Sequence, residues 1–245
     1  MLETPFRGKT WWLVGASEGL GRSLAFKMNK AGAKLILSAR SADRLKALAE
    51  ELGGEHQVAP CDVTDLKAVE ETAASLGPYH GVLYNAGAYD PIHASEWDSA
   101  AVAKMNAVNY LGVCHVLGEA VPRLVEQGKG RVVIIGSLAG FRGLPSAIGY
   151  GASKAAAMHL AENLKTDLRG TGVHVQRINP GFIKTRLTDK NDFAMAQIMT
   201  PDDAADRVMQ AIRSGRFSTS FPAPFAWVFT VGRYLPLGLF HRITG

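Results

Sequence analysis

The chain has 245 residues, 47% of them apolar and 20% charged. That composition excludes a disordered chain and fits a globular protein near the upper size of one core, so a single domain over residues 1–245 is expected. The formal net charge is +5, yet residues 207–245, with five arginines and no Asp or Glu, account for the whole excess and form no basic cluster, which argues against a nucleic-acid partner.

At the N-terminus, MLETPFRGKTWWLVG has no basic segment followed by an apolar one, so no secretory signal is expected. Short apolar runs at residues 10–15, 34–39, 56–60, 81–87, 131–137 and 173–181 alternate with amphipathic stretches at 41–52, 65–76, 99–127 and 150–169. Strands that are apolar throughout, separated by helices, predict a parallel sheet covered on both faces. The expected fold is α/β, a doubly wound, Rossmann-like sheet with a core over about residues 8–213 and an apolar C-terminal extension from about 214 to 245.

The first run leads into Gly15-Ala16-Ser17-Glu18-Gly19-Leu20-Gly21. Glycines between a strand and a helix allow a tight turn and close approach to a pyrophosphate, while the helix N-terminus offers N–H groups and a favourable dipole. Gly15, Ser17, Gly19 and Leu20 are therefore candidate cofactor contacts, although turns and helix packing select glycine too. The second run ends in Ser38-Ala39-Arg40-Ser41, with no acid where a carboxylate would bond the ribose hydroxyls of NAD. Arg40 either pairs with a 2′-phosphate, with Ser17, Ser38 and Ser41 as further donors, or is a solvated arginine opening a helix. NADP(H) is favoured on this ground and NAD(H) is the alternative; Glu18 counts against NADP(H), since a basic residue there would strengthen the case.

After the third run comes Cys61-Asp62-Val63. Asp62, with Val63 beside it, either accepts a hydrogen bond from the adenine amino group or caps the helix beginning near Asp65. Cys61 and Cys114 stand in no metal-ligand spacing, so neither a metal nor a disulfide framework is expected, which suits a reducing cytoplasm.

Further on, Asn85-Ala86-Gly87, Asn109, Ser137, Tyr150-x-x-x-Lys154 and Asn179-Pro180-Gly181 follow in order, with Ser137 thirteen residues before Tyr150. A phenol with a reference pKa of about 10 is a serviceable acid near neutral pH, and an ammonium one helical turn away lowers that pKa. Together with the glycine loop, these residues resemble the short-chain dehydrogenase/reductase family over residues 8–213. The resemblance implies hydride transfer between a nicotinamide cofactor and a carbonyl or alcohol carbon, with Tyr150 exchanging the proton. It implies that Lys154 tunes Tyr150 and bonds the nicotinamide ribose, that Ser137 holds the substrate oxygen, and that Asn109 anchors a water linking Lys154 to solvent. Asn85, Ala86 and Gly87 would face the cofactor, the backbone of Pro180, Gly181 and Ile183 would meet the carboxamide, and Thr185 would hold the carboxamide or pyrophosphate. Two positions depart from the family pattern: Val14 replaces a threonine that ties the glycine loop to the Asn-Ala-Gly turn, and Tyr84 replaces the first asparagine of Asn-Asn-Ala-Gly.

The resemblance also implies a homo-oligomer, dimer or tetramer, built from the helices at 99–127 and 150–169. Ala155, Ala156 and Ala157 either permit close approach of such helices or pack against the chain's own sheet. Residues 185–199 should cover the substrate, where Phe193, Met195, Ile198 and Met199 either line an apolar cavity or fill a helix core. The uncharged stretch 217–232 has 16 residues and contains Pro222 and Pro224, against the roughly 20 a membrane span needs. It either covers the pocket, joins a subunit interface, or lies in a lipid surface with Trp227, Phe229, Tyr234 and Phe240 inserted. The expected activity is NADP(H)-dependent reduction of an apolar or long-chain ketone or aldehyde, with a small-molecule carbonyl or alcohol as substrate. An NAD-dependent alcohol dehydrogenase, a peripheral membrane-lipid ketoreductase and a non-catalytic nucleotide-binding relative are the alternatives. A cytoplasmic location, with membrane contact through the C-terminal segment, accompanies this reading.

Overall fold

The computed structural model describes residues 5–193 and 195–244; of the segments read above, the four N-terminal residues, Ala194 and Gly245 lie outside them. Alternation along the first strand shows how the two cores arise. In β1 (Thr10–Val14), Trp11 and Leu13 enter one buried cluster while Trp12 and Val14 enter another on the opposite face. Successive strand side chains point to opposite faces, so an uninterrupted apolar run demands cover on both. The indole N–H of Trp12 finds its partner in the Ser38 hydroxyl at 2.9 Å, and that hydroxyl donates to the Ala59 carbonyl at 2.7 Å.

The other strands are β2 (Lys34–Ser38), β3 (Gln57–Val58), β4 (Gly81–Tyr84), β5 (Gly130–Ile135), β6 (Val173–Pro180) and β7 (Ser218–Phe221). All pair in parallel, in the order β3-β2-β1-β4-β5-β6-β7, which is the doubly wound sheet expected. The third run shrinks to two paired residues. The seventh strand falls inside the segment read as an extension, and only Phe221 of Ser-Thr-Ser-Phe is buried. Its backbone pairing with β6, from Arg177 against Ser218 to Pro180 against Phe221, holds it instead.

The helices are α1 (Gly19–Lys30), α2 (Ala42–Leu52), α3 (Leu66–Ser75), α4 (Ser99–Asn106), α5 (Gly112–Glu126), α6 (Ile148–Asp167), α7 (Pro201–Ser214), α8 (Phe225–Gly232) and α9 (Leu237–Thr244). Leu24, Leu45 and Val208 bring α1, α2 and α7 to one face of the sheet, and Val69, Val116 and Ala161 bring α3, α5 and α6 to the other. Side-chain caps fix several starts: Ser41 accepts from Arg44 N–H, Asp65 from Ala68 N–H, and Thr200 from Asp203 N–H with Pro201 at the first helical position.

The stretch expected as one helix over 99–127 is a single rod interrupted by a π turn at Ala107–Leu111. There the Gly112 N–H reaches back to the Ala107 carbonyl. The Val108 carbonyl, passed over by that N–H, accepts from the Tyr84 hydroxyl at 2.5 Å. Tyr84 is 1% exposed, and burial raises its phenol well above the ordinary range, so it serves as a fixed donor. Gly112 makes room for it: an added Cβ would stand 2.6 Å from the Tyr84 hydroxyl and 2.7 Å from Val63. Gly112→Ala should destabilise the protein by about 1–3 kcal/mol in urea unfolding through this overpacking. In the same helix Gly118→Ala, whose Cβ meets nothing within 4 Å, should stabilise by about 0.5–1 kcal/mol.

Candidate active site

The strand order reverses between β1 and β4, and their carboxyl ends open where a doubly wound sheet places its ligand. The loops leaving β1, β2, β4, β5 and β6 line a single cleft of about 740 Å³. At the first of them Gly15 has φ +85°, and a Cβ there would lie 2.5 Å from the Ala86 nitrogen. The loop is tied across by Asn85, whose amide donates to the Gly15 carbonyl at 2.9 Å. That bond supplies the tie that Val14 cannot make. Glu18 ends the loop without a side-chain cap, so the first-turn N–H groups of α1 stay available to an anion.

Of the residues expected to contact a cofactor, all but Ser38 line this cleft: Gly15, Ser17, Gly19, Leu20, Arg40, Asp62, Val63, Asn85, Ala86, Gly87, Tyr150, Lys154, Pro180, Gly181, Ile183 and Thr185, with Ser41. Arg40 is exposed at the rim. The capping alternative for Asp62 fails, because Asp65 caps α3; Asp62 instead accepts from the N–H and hydroxyl of Thr64 at 3.0 and 2.8 Å. Ser38 is no phosphate donor either, since its hydroxyl is committed to Ala59. Two arginines missing from the sequence reading complete this end: Glu18 pairs with Arg44 at 3.1 Å and also with Arg186. Arg44 lies in the first turn of α2, four residues after Arg40 in the sequence; Arg186 follows Thr185, and nothing in the sequence brings it to Glu18.

Ser137 lies two residues past β5 and caps a short 3-10 turn, Leu138–Gly140, where its hydroxyl accepts from the Ala139 N–H at 3.2 Å. Tyr150 and Lys154 lie one turn apart in α6, with the Lys154 nitrogen 5.9 Å from the Tyr150 ring centre. The ammonium is buried, 5% exposed, and donates to the Ile135 carbonyl at 3.0 Å. Burial lowers its pKa from 10.5 to about 8. Burial also raises the Tyr150 phenol, opposed by a hydrogen bond with Ser137. The lowering expected from Lys154 is thus opposed in the fold by burial of the phenol itself.

Asn109, grouped with the catalytic residues in the sequence, does not reach the cleft wall. It is 1% exposed behind it, in the π turn. Its amide bonds both backbone groups of Ala88, at 2.8 and 2.9 Å, and the Ser153 hydroxyl at 2.9 Å. Its side chain is thus committed to joining the Ala88 backbone to α6. Gly87 faces the same small space, since a Cβ on it would lie 3.6 Å from the Asn109 oxygen and 3.9 Å from the Lys154 nitrogen.

The far end of the cleft is apolar. Phe182 meets Phe193 and Phe225 with ring centres 5.8 Å apart, and Phe225 meets Phe229 at 5.1 Å. Of the four apolar residues expected in the covering segment, only Phe193 lines the cleft. Met199 packs on the core because its backbone bonds Phe182 and Lys184, and Ile198 is 41% exposed. The sequence also missed Tyr89, whose ring meets Tyr150 edge-on at 4.9 Å and whose hydroxyl donates to Asn191 at 2.6 Å.

The model of the short chain dehydrogenase family matches residues 9–195. The chain belongs to that family. An uncharacterised oxidoreductase of Myxococcus xanthus is 35% identical over 98% of this chain and 97% of its own length. A short-chain dehydrogenase from Sphingobium yanoikuyae in complex with NADPH is similar at TM-score 0.82 and 26% identity, covering 91% of this chain and 92% of that one. A short-chain dehydrogenase from Burkholderia cenocepacia in complex with NADP shares the fold at TM-score 0.87 and 23% identity, over 98% of each chain. Family membership makes this short-chain dehydrogenase an oxidoreductase.

The buried lysine has a measurable signature. Between about pH 8 and 10.5 the unfolded chain holds a proton that the folded one has released, so stability rises across that window and the penalty is fully present below it. Relative to Lys154→Met, the unmodified protein should gain about 3 kcal/mol in unfolding free energy from the lower to the upper limit. A difference independent of pH would show that the ammonium is not held out of water.

Proposed function

We propose that this short-chain dehydrogenase is an NADP(H)-dependent reductase that converts an apolar ketone or aldehyde to an alcohol. The observation that carries the reading is the junction at Tyr150, where the glycine-lined end of the cleft meets the aromatic end and Ser137 and Lys154 flank one phenol. The nicotinamide cofactor, when bound, supplies the hydride. The residues that fit it are the Gly15–Leu20 loop and uncapped α1 N-terminus for the pyrophosphate, Arg40 for a 2′-phosphate, and Lys154 for the nicotinamide ribose.

Ser137 offers its hydroxyl to the substrate oxygen, and Tyr150 donates its proton to that oxygen as charge develops there. A phenol raised by burial stays protonated throughout the neutral range, the form that reduction requires of its proton donor. Lys154, lowered to about 8, is close enough to neutrality to return a proton to the phenol. The aromatic cluster around Phe182 excludes water and favours an apolar chain on the carbonyl. Similarity to relatives described as complexes with NADP(H), and the lack of a carboxylate at the end of β2, support NADP(H) over NAD(H). In a homo-oligomer the exposed Leu111 and Ala155 of the two long helices are groups that would meet a second copy.

Tyr150→Phe should keep NADPH binding and lower kcat by about 10²–10⁴-fold, measured by NADPH oxidation with a saturating ketone; substantial residual turnover would exclude Tyr150 as the acid. In fluorescence titration NADPH should bind more tightly than NADH. Arg40→Asp should remove that preference, a loss of about tenfold or more in NADPH affinity. Glu18→Gln, which releases Arg44 and Arg186, should strengthen NADPH binding severalfold; tighter NADH binding by the unmodified protein would overturn the assignment.

A further inference from the structure

Helices α8 and α9 have two apolar faces, and the cleft uses only one. Phe225 and Phe229 line the cleft, and Ala226, Phe229, Gly232 and Phe240 pack into a small cluster with Leu138. Trp227 and Val231, one turn apart and opposite Phe229, are each 62% exposed. Beyond them Tyr234 is 74% exposed, Leu237 50%, Leu239 45% and Ile243 57%. In α9 Phe240 is the anchor, buried against Gly232 and Phe229. Large apolar side chains clustered on one exposed hairpin mark an interaction surface, whereas scattered ones do not.

We propose that this outer face of α8 and α9 lies in an anionic lipid surface, placing the apolar end of the cleft beside the membrane. Charge decides between the occupants. Arg233 and Arg242 are exposed beside the patch, and residues 207–245 contain five arginines and no carboxylate. A two-fold contact brings the same patch of two copies together, setting arginine against arginine with no acid of that segment to pair them. Lipid phosphates supply that missing charge, and Trp227 and Tyr234 are the amphipathic rings that sit at a headgroup boundary. The contact is interfacial, because no helix among the described residues is long and apolar enough to cross a membrane.

The inference deepens the proposed apolar substrate class by giving such a substrate a route from lipid, yet it stands on the surface alone and is tested apart from the reaction. The full chain is sedimented with vesicles of phosphatidylcholine, with and without phosphatidylglycerol. Binding should require phosphatidylglycerol and weaken with salt. Arg233→Gln with Arg242→Gln should weaken it roughly thirtyfold, each cation near an anionic surface counting for about a factor of five. The triple variant Trp227→Ser, Leu239→Ser, Ile243→Ser should lose at least about tenfold. Trp227 should be quenched by brominated lipid, while Trp11 and Trp12, both 0% exposed, should not. All variants should retain the circular dichroism of the unmodified chain and its NADPH oxidation with a short water-soluble ketone. Failure to bind phosphatidylglycerol vesicles, or binding unchanged in both variants, overturns the proposal. So does light scattering in which the triple variant splits an oligomer, since a second copy then covers the patch. Vesicle binding by a chain that reduces no soluble ketone refutes the proposed reaction and leaves the lipid surface standing.

Discussion

Keeping one ammonium out of water is the constraint on which the site depends. A charge buried without partners is among the most costly features a fold can contain, so Lys154 has to be surrounded by groups that hold it in place. The Ile135 carbonyl takes its hydrogen bond from the sheet. The helix that carries it is pinned at the preceding residue, because Ser153 accepts from Asn109 and donates to the Tyr150 carbonyl at 2.8 Å. Asn109 reaches that position only because a π turn rotates it inward, and the Tyr84 hydroxyl takes a carbonyl of that turn. A core tyrosine, a glycine that admits it, a helix irregularity and an amide thus act in series on one lysine.

The two shifts that burial produces run in opposite directions. The phenol is raised from its ordinary value of 10.0 and the amine lowered from 10.5 to about 8, so in the fold the phenolate is the stronger base of the pair. Proton return from lysine to tyrosine therefore demands less than the unperturbed values imply.

Much of this was legible in the residues. Periodicity gave the alternation of strands and helices, and the resemblance to the family put the glycine loop, Ser137, Tyr150 and Lys154 in one site. What escaped depends on distance through space. Val14 and Tyr84 depart from the family pattern; in the fold, Asn85 provides the tie that Val14 cannot make and Tyr84 braces the π turn behind the site. Strand β7 escaped because its stability comes from backbone pairing with β6, which leaves no apolar pattern to read. Tyr89, Arg186 and the inward turn of Phe225 arise from loops that fold back over the cleft, and no local rule sets their destinations.

The covering segment and the glycine loop are coupled through two adjacent residues. Thr185 packs on Gly19, where a Cβ would meet its methyl at 3.0 Å, and Arg186 pairs with Glu18. Lys190 bonds the Tyr89 carbonyl at 2.9 Å and pairs with Asp90, while Asn191 receives the Tyr89 hydroxyl. The same strap thus holds the glycine-loop end of the cleft and the tyrosine that meets Tyr150 edge-on. Its ion pairs are exposed, and such pairs contribute about 0–1 kcal/mol each, so an incoming phosphate can exchange with Glu18 for its arginines at little net cost. Glu18, which in the sequence argues against a phosphorylated cofactor, therefore holds two guanidiniums where a phosphate could claim them. Arg186 and Thr185 at one end of this segment, and Lys190 and Asn191 at the other, thus connect the glycine loop to the residues beside Tyr150.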